Sequence, residues 1–226
     1  YDMYLKLLEE AVLDEAVRRI LTVKFRLGLF DGRKTLKAFD MQAHRTLNER
    51  VQEEAVVLLE NNGVLPLQNK RVAVIGPAAD HIHAMLGDWT YMTHPGIRAD
   101  YRIEHKITPV TPLKGLEQLA GTHGLTVTYE KGCGFLSDST PVSANGDINQ
   151  QYMDRIVKPE YRNLDPAAVH AACEPADVIV ACVGDFVGQN GEFRDRGDLN
   201  LSGDQQALLE LLKQTGKPLV VVLVSG

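Results

Sequence analysis

Two apolar runs near the end of the chain constrain its fold more than any other feature. Residues 177–184 and 217–224 are rich in Val, Ile and Leu and are flanked by turn-forming residues. Continuous apolar runs of this length are typical of strands that are covered on both faces of a sheet. Residues 202–215, which lie between them, have a helical pattern. This order predicts a strand, a helix and a second strand parallel to the first.

Earlier segments continue the same alternation. Strands are predicted at residues 71–76 and 125–129, and helices at residues 111–120 and 165–173. Strands that alternate with helices form mostly parallel sheets with helices on both faces. The sequence therefore predicts an α/β fold with a doubly wound, mostly parallel sheet, that is, an α/β/α sandwich.

The first thirty residues have a helical pattern but no visible core of their own. Asp14 is expected to cap a helix in which Val17, Ile20 and Leu21 share one side. Such a helix needs a partner surface, because its apolar side chains have nothing within this segment to pack against.

A domain boundary is predicted after this helix. The residues that follow it are largely polar and basic without clear periodicity, which is typical of a linker. A second helix is predicted over residues 46–60, and an Asn-Asn-Gly turn at residues 61–63 is expected to end it. We therefore expect terminal helices of one domain at residues 1–30, a linker at 31–45 and an α/β domain at 46–226.

The charge and the cysteines exclude several classes of function. The formal net charge is −6, whereas binding to a phosphate backbone needs clustered Lys and Arg, so no nucleic-acid partner is expected. No run approaches the roughly 18 consecutive apolar residues of a membrane-spanning helix, so no membrane span is expected. Cys133, Cys173 and Cys182 are an odd number without a closely spaced pair, and they are interpreted as buried thiols.

Residues 184–205 contain the strongest candidate for a functional site. They follow a predicted buried strand and precede a helix, which is where α/β sheets place their ligands. Glu192 lies close to Arg194 and Arg196, and an extended chain would put these three side chains on one face. A carboxylate framed by two guanidinium groups is either an ionic clasp that holds the loop or a catalytic group oriented by its neighbours.

Aromatic, acidic and histidine side chains elsewhere are further candidates. Trp89, the only tryptophan, is either an exposed aromatic face available for stacking on a ligand or a buried core residue. Asp185 directly follows the predicted strand and is expected to support the loop. His81 and His83 lack a third ligand at a suitable spacing, so no metal site is expected. The chain also lacks the glycine motifs that bind nucleotide phosphates, so no cofactor is expected.

The order of short motifs along the chain resembles that of glycoside hydrolase family 3. The stretch DEAVRRIL at residues 14–21, with VKF and LGLF after it, resembles the end of the family's barrel domain. GVLPL at 63–67 and VAVIGP at 72–77 resemble the entry and the first strand of its second domain. The motifs GDW, TPL, GEFRDR, LNLSGDQ and TGKP then follow in the family's order. Each motif is modest alone, and their order covers most of the chain.

The resemblance implies a retaining β-glycosidase whose active site is shared between two domains. A barrel aspartate would be the nucleophile, and a loop glutamate that corresponds to Glu192 would be the general acid/base. The resemblance also assigns supporting roles in this part of the site. Substrate binding is expected of Trp89, Arg194 and Arg196, and loop support of Asp185 and Asp195.

The arginines near Glu192 raise an electrostatic difficulty. A general acid works best with a raised pKa, whereas Arg194 and Arg196 would lower the pKa of a neighbouring carboxyl group. Asp195 or Asp198 would have to neutralise the arginines, or the negative charge of the nucleophile would have to favour the protonated form of Glu192.

The resemblance further implies that part of the enzyme lies outside these residues. We expect a fragment that is incomplete at its C-terminal end and inactive alone, with the N-terminal barrel domain of the same protein as its partner. The expected substrates are β-glucosides and oligosaccharides with terminal β-D-glucosyl residues, with β-xylosides and β-N-acetylglucosaminides as alternatives. A periplasmic or secreted location is implied. A non-catalytic carbohydrate-binding α/β module is the competing interpretation.

Overall fold

The computed structural model describes residues 10–32, 38–87, 110–138, 140, 161–185, 189 and 199–225. Contacts divide the chain into two units, Tyr1–Leu59 and Glu60–Gly226. This division follows the second helix of the chain. The domain limits given by the sequence, with a linker at 31–45, stay a prediction.

Among its described residues, the first unit contains two helices, α1 (Glu10–Arg26) and α2 (Met41–Ala55). Asp14 lies inside α1, so the expectation that it caps this helix was wrong. The cap of α2 is Asp40, whose carboxylate accepts a hydrogen bond from the Ala43 N–H at 2.9 Å. Neither helix has a buried residue.

The second predicted helix was placed too late in the chain. The prediction of residues 46–60 differs from the observed helix by five residues at each end. Asp40 provides an earlier start by satisfying a free backbone N–H of the first turn. Val56 leaves the helix in an extended conformation, which suits two successive β-branched residues, Val56 and Val57.

Four parallel strands form the sheet within the described part of the second unit. They are β1 (Arg71–Ile75), β2 (Thr126–Glu130), β3 (Val178–Gly184) and β4 (Leu219–Val224), in the spatial order β2-β1-β3-β4. β3 pairs with β1 on one side and with β4 on the other. The predicted parallel sheet is confirmed.

In the parts of the connections that the structure describes, three helices link the strands: α3 (Pro112–His123), α4 (Pro166–Cys173) and α5 (Gln205–Gln214). Thr111 and Asp165 cap α3 and α4, and each helix has a proline in its first turn, where no N–H is required. These local signals explain why both helices were predicted close to their observed bounds.

The core lies on both faces of the sheet, and β3 is buried along its whole length. On one face, Val178, Val180 and Cys182 pack with Leu113 of α3. The other face of the sheet packs against α4 and α5; its buried residues include Ile179, Ala181, Val183, Val169, Leu208 and Leu212. This arrangement confirms the doubly wound α/β/α sandwich.

All three cysteines are buried in this core, as predicted. Cys182 belongs to β3, Cys173 ends α4 and Cys133 follows β2. Burial raises the pKa of the Cys133 and Cys182 thiols to about 12. These side chains therefore act as small apolar core residues.

An ion pair joins the starts of β1 and β3. The Asp177 carboxylate accepts hydrogen bonds from the Arg71 guanidinium, the shorter at 2.6 Å, and from the Arg71 backbone N–H at 2.8 Å. The Asp177 N–H in turn donates to the Arg71 carbonyl at 2.8 Å. These bonds, chiefly those from the guanidinium, hold the pKa of Asp177 well below its usual range.

This ion pair predicts a specific loss of stability in acid. A carboxyl whose pKa is lowered by folding stabilises the fold above its unfolded pKa of about 3.9, and the contribution is lost as the pH falls further. Asp177→Asn should lower the urea midpoint at neutral pH and make it less sensitive to acid, whereas Glu117→Gln on an exposed helix face should not. Equal acid sensitivity in the wild type and Asp177→Asn would contradict this role.

Gly184 at the end of β3 allows a close approach of β4. Its φ is +143°, and a Cβ atom there would lie 1.7 Å from the Val224 carbonyl oxygen. Gly216 also has a positive φ, of +68°, but a Cβ atom there would have no neighbour within 4 Å.

The two glycines provide a matched test of this approach. Gly216→Ala should cost about 1–2 kcal/mol of unfolding free energy, since it introduces only left-handed strain. Gly184→Ala should cost clearly more, because β4 must also move away. Urea unfolding measures both values, and equal losses would show that the contact with Val224 is unimportant.

Candidate functional site

The candidate site lies at the carboxyl edge of the sheet, between β1 and β3. The connection after β1 passes through α3 on one face, and the connection after β3 passes through α5 on the other. Parallel sheets of this kind bind ligands in the crevice that forms where the strand order reverses. The predicted functional loop begins at this point, directly after Gly184.

The turn after β1 is pressed against the backbone of β3. A Cβ atom on Gly76, whose φ is +120°, would lie 2.2 Å from the Cys182 carbonyl oxygen. The same carbonyl accepts a hydrogen bond from the Ala78 N–H at 3.1 Å. The two strand ends that border the crevice are therefore held in direct backbone contact.

The loop leaves β3 through a first stem, Gly184 and Asp185, that is hydrogen-bonded on both sides. The Asp185 N–H donates to the Val224 carbonyl at 2.9 Å and so continues the pairing with β4. On the opposite side, the Gly184 N–H donates to Gln205 Oε1 at 2.8 Å, and Gln205 Nε2 donates to the Gly184 carbonyl at 2.9 Å. Gln205 is completely buried.

The loop returns through a second stem, at Ser202, that is linked to the first stem by hydrogen bonds of Gln205. Gln205 Nε2 also donates to the Ser202 carbonyl at 3.1 Å. The Ser202 hydroxyl donates to the Phe135 carbonyl at 2.9 Å and accepts a hydrogen bond from Gln189 Nε2. One hydroxyl thus connects the second stem, a residue within the loop and the neighbouring segment after β2.

The segment after β2 is braced by an ion pair beside the stems. Arg162 donates to the Glu130 carboxylate at 2.9 Å, and the Gly132 N–H donates to the same oxygen at 3.0 Å. The Arg162 N–H donates to the Leu136 carbonyl at 2.9 Å, and the Gly134 N–H donates to the Arg162 carbonyl at 2.8 Å. The Phe135 carbonyl, which accepts the hydrogen bond from Ser202, therefore belongs to a segment held by its own hydrogen bonds.

The predicted site residues are divided between the described part of the chain and the rest. Asp185 is half-buried at the first stem, directly after β3, and its role in loop support stays a prediction. The other predicted site residues lie outside the described residues, and their roles stay predictions: Trp89, Glu192, Arg194, Asp195 and Arg196.

The sequence interpretation did not identify Gln205 and Ser202. Gln205 precedes Leu208 by three residues and Leu212 by seven, and all three are completely buried. This spacing puts the glutamine on the apolar side of α5. A polar residue at such a position is a signal for a buried hydrogen-bonded role.

The histidines near the end of β1 form ring contacts. The ring centroids of His81 and His83 are 5.9 Å apart, and His81 lies 5.1 Å from Phe135. His81 Nδ1 accepts a hydrogen bond from the Ala84 N–H at 3.2 Å, at the start of a short 3-10 turn. In the described ranges, no cluster of His, Cys, Asp or Glu side chains is suited to hold a metal ion. None of the helices described is long and apolar enough to cross a membrane.

Comparisons with known proteins agree with this fold and topology. The model of the family described as "Glycosyl hydrolase family 3 C-terminal domain" matches residues 56–226. A solved β-glucosidase from intestinal bacteria, described as involved in saponin metabolism, has a TM-score of 0.66 and 34% identity. That match covers 99% of this chain and 31% of the other.

Two curated relatives carry the names of β-glycosidases. The periplasmic β-glucosidase of Salmonella typhimurium is 32% identical over 96% of this chain, which spans 28% of that protein. The β-xylosidase of Formosa agariphila is 33% identical over 95% of this chain, which spans 27% of that protein. With its C-terminal domain at residues 56–226, the chain belongs to glycoside hydrolase family 3.

Proposed function

We propose that this chain is part of a retaining β-glycosidase and that Glu192 is its general acid/base. The family and the β-glycosidase names of its relatives support the reaction class. The position of the loop supports the choice of residue, because its two stems lie at the carboxyl edge of the sheet, where folds of this kind bind ligands.

The proposed reaction proceeds in two steps. Glu192 protonates the glycosidic oxygen while a carboxylate nucleophile attacks the anomeric carbon, which breaks the bond to the leaving group. The ionised Glu192 then removes a proton from a water molecule that attacks the anomeric carbon, which breaks the bond to the nucleophile and releases the sugar with retained configuration. Retention requires the two carboxyl groups to lie about 5 Å apart, so the loop must extend from this domain toward the nucleophile.

The single observation that carries this proposal is the anchoring of the loop at the ligand-binding edge of a family 3 domain. An acid/base must be held near the bond it protonates, because small displacements of a catalytic group strongly reduce its rate. Hydrogen bonds between the Gln205 side chain and the backbone of Gly184 and Ser202 fix the points where the loop leaves and rejoins the fold. A plain surface insertion would not need stems tied to each other in this way.

The remaining predicted residues receive roles around this reaction. Trp89 offers an aromatic face for stacking on a sugar ring. Arg194 and Arg196 supply hydrogen-bond donors for sugar hydroxyls, since guanidinium groups carry several N–H groups in a fixed plane. Asp185 at the first stem and Asp195 support the loop, and Asp195 or Asp198 offsets the positive charge of the arginines.

The proposed substrates are β-glucosides and oligosaccharides with terminal β-D-glucosyl residues. The glucosidase relatives favour this choice. β-Xylosides are the second candidate, because another relative of similar identity is named a β-xylosidase. β-N-acetylglucosaminides are a third class.

The proposed partner is a barrel domain of the same protein that carries the nucleophile. The chain spans less than a third of each of the relatives described above. These residues alone are therefore expected to show no glycosidase turnover. A periplasmic or secreted location is proposed from the relative that is named periplasmic.

Replacement of Glu192 by alanine should separate substrates by their leaving groups. For the complete enzyme, kcat/KM on methyl β-glucoside should fall by about 10²–10⁴-fold, which is the usual contribution of a general acid. The kcat/KM on dinitrophenyl β-glucoside should change little, because this leaving group needs no proton. Azide should accelerate turnover of the dinitrophenyl substrate by replacing the water that Glu192 no longer activates.

The matched control is Glu117→Ala, which removes a carboxylate from an exposed face of α3. This variant should retain the wild-type values on both substrates. If Glu192→Ala hydrolyses methyl β-glucoside as well as the wild type does, Glu192 is not the acid/base.

A further inference from the structure

We propose that Gln205, with Ser202, is a positioning residue for the general acid/base. This inference rests on the proposed function, since it assigns to the buried amide the task of holding the loop that carries Glu192. The site consists of Gly184, Gln189, Ser202 and Gln205, which the structure describes, and it joins the two stems of the loop.

The amide of Gln205 pairs with backbone groups of β3 that lie beyond the end of its pairing with β1. The pairing of β1 with β3 ends at Ile75 and Ala181, and the next outward carbonyl of β3, at Cys182, is taken by the Ala78 N–H. Gly184 is the next residue to face the same side. Both of its backbone groups pair with the Gln205 side chain, which thus acts as a neighbouring strand would.

A role limited to filling the core does not explain a glutamine at this position. The other buried side chains on this side of α5, Leu208 and Leu212, are apolar. Burial of an amide is unfavourable unless its polar atoms are paired, so an apolar residue would fill the same space at lower cost. What the amide adds is three hydrogen bonds to the backbone, all directed at the two loop stems.

Ser202 links the second stem to a residue within the loop. Its hydroxyl accepts a hydrogen bond from Gln189, which precedes Glu192 by three residues. Three residues of extended chain span at most about 11 Å, so fixing Gln189 limits where residue 192 can lie. A displacement of about 1 Å can reduce catalysis by about 10²-fold, which makes such a restraint relevant to the reaction.

The test compares substrates that need a proton with substrates that do not. The variants are Gln205→Met, which keeps the length of the side chain but removes its hydrogen bonds, and Ser202→Ala, which removes one hydroxyl from a half-buried position. The neighbouring Gln206→Met is the control, because Gln206 is exposed. Each is made in the complete enzyme, with folding checked by circular dichroism.

A positioning role predicts a selective loss. In Gln205→Met, the ratio of kcat/KM on methyl β-glucoside to kcat/KM on dinitrophenyl β-glucoside should fall by at least about 10-fold, in the direction of Glu192→Ala. Ser202→Ala should show a smaller loss of the same kind, and Ser202→Thr, which keeps the hydroxyl, should restore the ratio. Gln206→Met should match the wild type.

Two outcomes overturn the proposal while leaving the proposed function intact. One is an equal loss on both substrates in Gln205→Met and Ser202→Ala, and the other is wild-type kcat/KM on both substrates, provided in each case that Glu192→Ala is selective. If Gln205→Met does not fold, Ser202→Ala and Ser202→Thr decide alone. A Glu192→Ala variant without selectivity would instead reject the proposed function.

Discussion

The burial of β3 is the constraint on which the rest of the domain depends. All seven residues of this strand are buried, and it pairs with β1 on one side and β4 on the other. Its alternate side chains enter the two core layers, so neither layer can form without it. A strand fixed in this way provides a rigid starting point for the segment that follows Gly184.

The end of this strand combines close backbone approach with a buried polar contact. Glycines at positions 76 and 184 allow neighbouring backbones to approach to distances that a side chain would prevent. Gln205 then pairs with the backbone groups of Gly184 that lie beyond the described pairing of β1 with β3. Both stems of the loop are therefore fixed to the sheet. Functional residues of α/β proteins are commonly carried on loops that a stable scaffold positions in this way.

The sequence was sufficient to predict much of the fold, because its signals are local. The strands β3 and β4 are uninterrupted apolar runs, and Thr111-Pro112 and Asp165-Pro166 are strong helix starts. The predicted bounds of α2 were wrong because the prediction took the Asn-Asn-Gly turn as the helix end and did not use the Asp40 cap. Strand order was not predicted, since it depends on contacts between segments far apart in the chain.

The candidate site was only partly accessible from the sequence. Asp185 was placed correctly at the strand end because it directly follows an apolar run. Gln205 was missed because its chemistry depends on backbone groups of Gly184, twenty-one residues away in the chain. The predictions for Trp89, Glu192 and the neighbouring residues rest on motif order, and they remain to be tested by the chemistry they imply.

The most direct test of the central claim is the pH dependence of kcat/KM for the complete enzyme and its Glu192→Gln variant on phenyl β-glucoside, whose leaving group needs a proton. A general acid produces the alkaline limb of this profile, because it must be protonated to act. Our account predicts that the substitution removes the alkaline limb and retains the acidic limb, which belongs to the nucleophile. An alkaline limb that persists unchanged in Glu192→Gln would show that another group donates the proton.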